Sequence, residues 1–171
     1  MTSWDFAGWT GALAATGQPG ASYQAFDALC ARCFGHRLFT ILAWDGAADE
    51  VERVYSSRPS HYPVSARKRM GPTPWGQHVL KGGRCWLGSG VQDMQWAFPD
   101  HQVIAGLGCG ACLNAPVRWN GRVLGAVNVL DAEGAYQPSD LDVLDGLSGF
   151  LVSPLLVRAQ AAGDQTTGAQ P

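Results

Sequence analysis

A chain of 171 residues, 46% hydrophobic and 15% charged, is long enough to build one domain with a sizeable core and no metal or disulfide staple. Its net charge of −2, from 12 basic and 14 acidic residues spread thinly, leaves no basic stripe for a phosphate backbone and argues against a nucleic-acid partner. No run approaches the roughly 18 apolar residues of a membrane span, and Met1 to Asp5 lacks the basic start and apolar core of a secretion signal, so the chain reads as cytoplasmic, with no membrane partner.

Ser3 is placed to cap a first helix over about residues 4–16, where Phe6, Trp9 and Leu13 fall at near-helical spacing and Gly17 with Pro19 marks the stop. A second helix is expected over about 21–34, closed by Gly35. On it Phe26, Leu29, Cys30, Cys33 and Phe34 share one face. The run Arg37 to Asp45 (RLFTILAWD) is rich in β-branched and aromatic residues, and after a polar turn it is answered by Val51 to Ser57, which predicts an antiparallel pair. From Arg58 to Ile104, prolines at 59, 63, 72, 74 and 99 cut the chain into short pieces. A short helix near Trp75 to Leu80, a short strand near Arg84 to Leu87 and a helical turn at Val91 to Trp96 are expected there. A long irregular middle in a small domain is usually functional.

Asn120-Gly121 lies between two apolar runs and predicts a two-residue type I′ hairpin turn, because both central positions need positive φ. Pairing Trp119 with Arg122 sets Val117 opposite Leu124, Ala115 opposite Ala126 and Leu113 opposite Asn128. Cys112, Asn114, Pro116, Val123, Val127 and Val129 then take the other face. Few polar side chains interrupt these strands, so both faces should be covered, and Asn114 and Asn128 need partners or a ligand. Pro138-Ser139-Asp140 opens a last helix with Leu141, Leu144, Leu147 and Leu151 as its apolar stripe, kinked or ended at Pro154.

Five cysteines make an odd number, which favours free thiols over a disulfide framework. Two CxxC pairs, at Cys30/Cys33 and Cys109/Cys112, have the spacing of a zinc site. The first lies on the apolar face of a helix, and in a strand the second would point its thiols to opposite faces, so no metal is expected.

The resulting order is helix, helix, two strands, an irregular middle with one strand, a hairpin and a final helix. That is an α+β fold with a mainly antiparallel sheet. From about Tyr23 to Leu156 it resembles a GAF domain, carried by Ala115-Pro116-Val117, by Asn120-Gly121-Arg122-Val123-Leu124-Gly125 and by Asp140-Leu141. The resemblance implies a GAF/PAS-like sheet of five to six strands, terminal helices on one face and an irregular ligand-facing middle on the other. With the small, polar composition of Gly163 to Pro171, it divides the chain into an N-terminal helix over 1–20, the domain over 21–158 and a disordered tail over 159–171. It also implies a homodimer through the terminal helices. Phe98-Pro99-Asp100-His101 is similar to the FPGH segment of free methionine-R-sulfoxide reductases. Their reacting cysteine, three residues after the histidine, is Ile104 here, and Trp75 stands near the place of another of their cysteines, so that mechanism does not carry over.

Two functions follow for a pocket between the sheet and residues 58–110. One is binding of a small planar or carboxylated molecule, without a cofactor, using Trp44, Ser57, Arg58, Tyr62, Lys68, Thr73, Trp75, Trp96, Cys109 and Asn114. The other is a cysteine-dependent enzyme, with Cys109 between Gly108 and Gly110 as nucleophile or proton carrier, His101 as acid or base, and Asp100 or Asp93 orienting it. Each residue has a plainer alternative: Cys109 as a small buried filler, His101 as a loop hydrogen bond, Arg58 and Lys68 as solvated charges, and the tryptophans as core. A purely structural dimerisation module is a third class, which leaves the proline-punctuated middle without purpose.

Overall fold

The amphipathic runs at the start of the chain form two helices, α1 (Phe6–Ala14) and α2 (Gly20–Cys33). The computed structural model describes residues 6–167, with side chains for 7–160, so the expected cap at Ser3 and the side chain of Phe6 lie outside the described residues. Gly35, at φ +68°, lets the chain leave α2, and the Phe34 and Gly35 N–H groups close the helix on the carbonyls of Cys30 and Ala31.

The strand-turn-strand run gives β1 (Leu38–Asp45) and β2 (Glu50–Ser56). The middle contributes β3 (Lys68–Arg69), a π-helical turn over Gly76–Lys81, β4 (Trp86–Gly88), α3 (Val91–Ala97) and α4 (His101–Gly106). The hairpin strands are β5 (Ala111–Trp119) and β6 (Arg122–Asp131), followed by α5 (Pro138–Ser148) and α6 (Val152–Thr167). The six strands form one antiparallel sheet in the order β3-β2-β1-β6-β5-β4. α4 is an element for which the sequence gives no separate expectation.

The main core lies between the sheet and the terminal helices. Phe26 and Leu29 of α2, Phe39 and Ile41 of β1, and Leu144 and Leu147 of α5 meet there. Phe26 and Phe39 are fully buried, and each contributes roughly 1.5–3 kcal/mol by leaving water. Trp9 stacks on Phe150 with centroids 5.2 Å apart, so this residue of the expected helical interface is covered within the chain. The opposite face of the sheet carries two smaller clusters, built from Leu38, Tyr62, Ile104 and Leu130 and from Val51, Trp75, Val79 and Ala126.

The hairpin turn forms as expected, with Asn120 and Gly121 at φ 49° and 72°. The register does not. Trp119 pairs with Arg122 and Arg118 with Val123, but Val117 then pairs with Gly125, because Leu124 is an extra residue in a β-bulge. Beyond the bulge every side chain of β6 changes face, so Asn114 lies opposite Asn128 rather than Leu113 doing so. Beside the bulge the strands approach so closely that position 125 must be glycine: a Cβ there would lie 2.0 Å from the Leu42 carbonyl oxygen. A second register shift, between Ile41 and Leu42, makes Val54 the unpaired residue of β2 and sets Arg53 opposite Leu42.

The last helix breaks at Gly149–Leu151, a short 3-10 turn just before the expected point. Pro154 then falls in the first turn of α6, where its missing N–H needs no partner. α6 continues to Thr167, so helix occupies part of the segment expected to be a disordered tail.

Candidate functional site

A cavity of about 190 Å³ lies between β1, β2 and β6 on one side and residues of the irregular middle on the other. Its apolar walls include Leu38, Leu42, Trp75, Phe98 and Leu130. Its polar lining includes Thr40, Arg53, Ser65, Lys68, Asp100 and Asn128. A wider open groove of about 1080 Å³ runs past the β1–β2 turn and the hairpin tip. Most of its charges already answer one another, as in Lys81 with Asp49 at 2.8 Å, Arg67 between Asp45 and Glu50, and Arg158 with Glu52. The smaller cavity is therefore the candidate site.

Arg53 is its central charge. Arg53 stands two residues from buried Val51 and shares its face of β2, and the guanidinium lies 3.7 Å over the Tyr62 ring. Its Nη1 donates to the Pro63 carbonyl at 2.8 Å, while Nη2 is 3.9 Å from Asp100 Oδ2, beyond hydrogen-bonding range. Its Nε is buried and has no partner. One donor thus anchors the group, and the Nε–Nη2 edge keeps no hydrogen bond of its own. The Tyr62 hydroxyl donates to Asp100 at 2.7 Å, and burial together with that carboxylate pushes the phenol well above its usual range despite the opposing Arg53 charge. The Ser65 hydroxyl oxygen accepts the Arg53 backbone N–H at 3.1 Å. Lys68 has no carboxylate partner among the described residues.

Beneath the cavity a row of side-chain hydrogen bonds crosses the sheet. Trp75 Nε1 donates to Asn114 Oδ1 at 3.1 Å, Asn114 Nδ2 donates to Asn128 Oδ1, and Asn128 Nδ2 donates to Thr40 Oγ1 at 2.9 Å. The two asparagines that needed partners therefore partner each other, an arrangement the bulge makes possible.

Of the expected binding residues, Tyr62, Lys68 and Trp75 line this cavity and Asn114 supports it from behind. Thr73 caps the π-helical turn, its hydroxyl accepting the Gly76 N–H at 3.1 Å. Ser57 closes the end of β1, exchanging bonds with Phe39 at 2.9 Å, and the Arg58 carbonyl holds the turn through the His61 and Tyr62 N–H groups. Trp44 belongs to the wider groove. Trp96 stacks on Trp86 at 5.3 Å with 43% of its surface exposed.

The residues of the cysteine reading are not gathered at the cavity. Asp100 lines it, but His101 Nδ1 bonds the Phe98 carbonyl at 3.1 Å, a loop contact. Cys109 is 5% exposed rather than open, and burial with the Asp131 charge pushes its thiol up to about 11, against the pull of Arg37 and Arg58. Gly108 and Gly110 give room to Arg37 and to the Glu133 backbone: a Cβ at 108 would lie 2.4 Å from Arg37 Nη1, and one at 110 would lie 3.0 Å from Glu133 N. Cys109 and Cys112 share one cluster because Cys109 precedes β5, so strand alternation does not separate them. Cys30 lies in the core on the other face of the sheet, and no group of three metal-ligating side chains occurs among the described residues.

Sequence reasoning passed over Arg53, Thr40 and Ser65. For Arg53 and Thr40 the signal was phase: Arg53 is two residues from Val51, and Thr40 lies between Leu38 and Leu42, so each shares the face of an apolar neighbour.

The family model for GAF domains matches residues 22–152. The chain belongs to the GAF domain family. Among solved structures, the GAF domain of a phosphoenolpyruvate-protein phosphotransferase from Coxiella burnetii is similar at TM-score 0.70 and 14% identity, covering 93% of this chain and 94% of that one. The corresponding domain from Acinetobacter is similar at 0.68 and 12%, covering 94% and 97%. Free methionine-R-sulfoxide reductase from Neisseria meningitidis, solved in complex with its substrate, is similar at 0.66 and 18%, covering 94% and 96%. At these identities the similarity is one of fold. No curated protein sequence matches the chain.

Proposed function

We propose that this GAF domain is a cytosolic module that binds a small carboxylate in the cavity between β1, β2, β6 and the irregular middle. The observation that carries the reading is the Nε–Nη2 edge of Arg53, a side chain lining the cavity and fixed by Pro63 and Tyr62 yet lacking a hydrogen bond on that edge. A planar guanidinium edge matches a carboxylate with two parallel bonds, and a buried N–H without a partner costs free energy until one arrives. Lys68 adds a second positive charge against the single carboxylate of Asp100. At about 190 Å³ the cavity is smaller than those of drug-sized ligands, which points to a compact metabolite. Carboxylate is preferred to a stacked planar ligand because Trp75 and Phe98 meet at 42° and form no parallel slot.

The domain is also proposed to form a homodimer through its terminal helices, a reading supported by the exposed side chains of Leu13 and Val157 and tested by light scattering. The ligand test is titration with propionate and with its neutral isostere propionamide, followed by NMR. Propionate is expected to bind saturably, and Arg53→Met to weaken it about tenfold or more, the scale of a charge-assisted pair. Equal binding of propionamide, or propionate binding undiminished in Arg53→Met, would overturn the proposal.

A further inference from the structure

The row of hydrogen bonds beneath the cavity has a fixed direction. An indole N–H only donates, so Trp75 makes Asn114 Oδ1 the acceptor and turns the Asn114 amide nitrogen toward Asn128. Asn128 must then receive at its oxygen and donate through its nitrogen, which makes Thr40 Oγ1 an acceptor. The Cys112 thiol has two acceptors in reach, Asn114 Oδ1 at 3.4 Å and the Leu113 carbonyl at 3.6 Å, and the nearer one fits the same orientation. Each amide orientation follows from the residue before it, and no member except the last is free to reverse.

Thr40 ends the row. Its oxygen is engaged from below, its side chain is buried, it lines the cavity, and no acceptor for its hydroxyl proton exists among the described residues. A threonine hydroxyl has one proton to donate, and donors in a polarised chain gain strength from those behind them. Thr40 lies two positions from Leu42 on β1, and Leu42 is opposite Arg53, so hydroxyl and guanidinium are diagonal neighbours on one face of the sheet.

We infer that Thr40 is a specificity-determining residue that selects carboxylates bearing a second acceptor oxygen next to the carboxylate, a 2-oxo acid being the simplest case. This inference rests on the carboxylate reading above. A ligand with a plain methylene at that position leaves the hydroxyl proton unmatched, and one with an ammonium group there leaves it unmatched too and adds a third positive charge beside Arg53 and Lys68. The row therefore distinguishes ligands of nearly equal size, which cavity volume cannot do.

The probes are pyruvate, propionate and alanine, titrated by NMR while the Trp75 indole N–H is followed, its resonance assigned from its loss in Trp75→Phe. Pyruvate is expected to bind about tenfold more tightly than propionate, the scale of one hydrogen bond to a buried donor, and alanine more weakly than either. Pyruvate should also shift the indole resonance, because it completes the row. In Thr40→Val the preference for pyruvate over propionate is expected to fall to about one, and Thr40→Ser should restore it. Equal binding of pyruvate and propionate to the native protein, or a preference that survives Thr40→Val in folded protein, would overturn the inference while leaving the carboxylate reading standing. If neither acid binds, the carboxylate reading fails and this inference with it. Tighter binding of alanine than of pyruvate would overturn the inference by assigning the position to a donor.

Discussion

Substituting Gly125 by alanine tests the bulge that sets the faces of β6. The added Cβ would stand 2.0 Å from the Leu42 carbonyl oxygen and 3.0 Å from Leu155 Cδ1. A carbon next to a carbonyl oxygen ordinarily keeps about 3.3 Å, so the strands must part by more than about 1 Å. The obstacle is backbone, which no rotamer change relieves. Gly125 pairs with Ala43 on one side and Val117 on the other, so the movement weakens β1–β6 bonds at the middle of the sheet. Two lost ladder bonds at about 1 kcal/mol each, with overpacking of about 1–3 kcal/mol against Leu155, give roughly 3–5 kcal/mol of destabilisation. That is a large part of the whole stability of a domain this size. Urea unfolding followed by tryptophan fluorescence reads the change. A loss below about 1 kcal/mol with an unchanged m-value would refute the steric account of Gly125.

By contrast, Gly146 is exposed in α5 with nothing near its would-be Cβ, so Gly146→Ala is expected to stabilise by about 0.5–1 kcal/mol in the same assay. With its thiol pushed from 9.0 to about 11, Cys109 should present about a hundredfold less thiolate at pH 7.5 than an unperturbed thiol. Iodoacetamide labelling resolved by peptide mass spectrometry should therefore find it slow, and labelling faster than at partly exposed Cys33 would contradict the buried setting. Burial pushes Asp145 upward, but the Arg118 guanidinium and the Cys85 thiol prevail and hold its carboxyl below the usual value. A depressed carboxylate stabilises the fold above its unfolded pKa, and that share disappears as pH falls through the folded value. Asp145→Asn should accordingly flatten the acid side of a stability profile and leave a smaller difference from the native protein at the lowest pH.

The β1–β2 pair, the Asn120-Gly121 turn and the layering of helices against one sheet face were legible because each rests on local chemistry or on period. The hairpin register was not. Its fault lies at Leu124, where an alternating apolar run conceals a one-residue insertion, and the close approach that requires glycine beside it comes from another strand, at Leu42. That one slip placed Asn128 on the wrong face, and with it went the sight of the asparagine row. Tyr62, Lys68 and Trp75 were expected at the cavity they line because the resemblance set the segment carrying them against the sheet. Arg53 was passed over because a charged residue in a strand reads as solvent-facing until its partners are known. For Cys109 the reactive and the buried-filler readings both stayed open for a related reason: glycines beside a residue permit close approach, and the sequence does not say whether ligand or protein approaches.

The two ends of the sheet carry a further consequence. One edge is the two-residue strand Lys68–Arg69, both of its side chains charged, and the other is the three-residue Trp86–Gly88. Neither offers the length of open backbone that another chain needs to join as a seventh strand, and the cationic end repels its own copy. Crowding during synthesis thus meets blunt borders at both sides of the sheet, so contacts between copies are left to helices and loops.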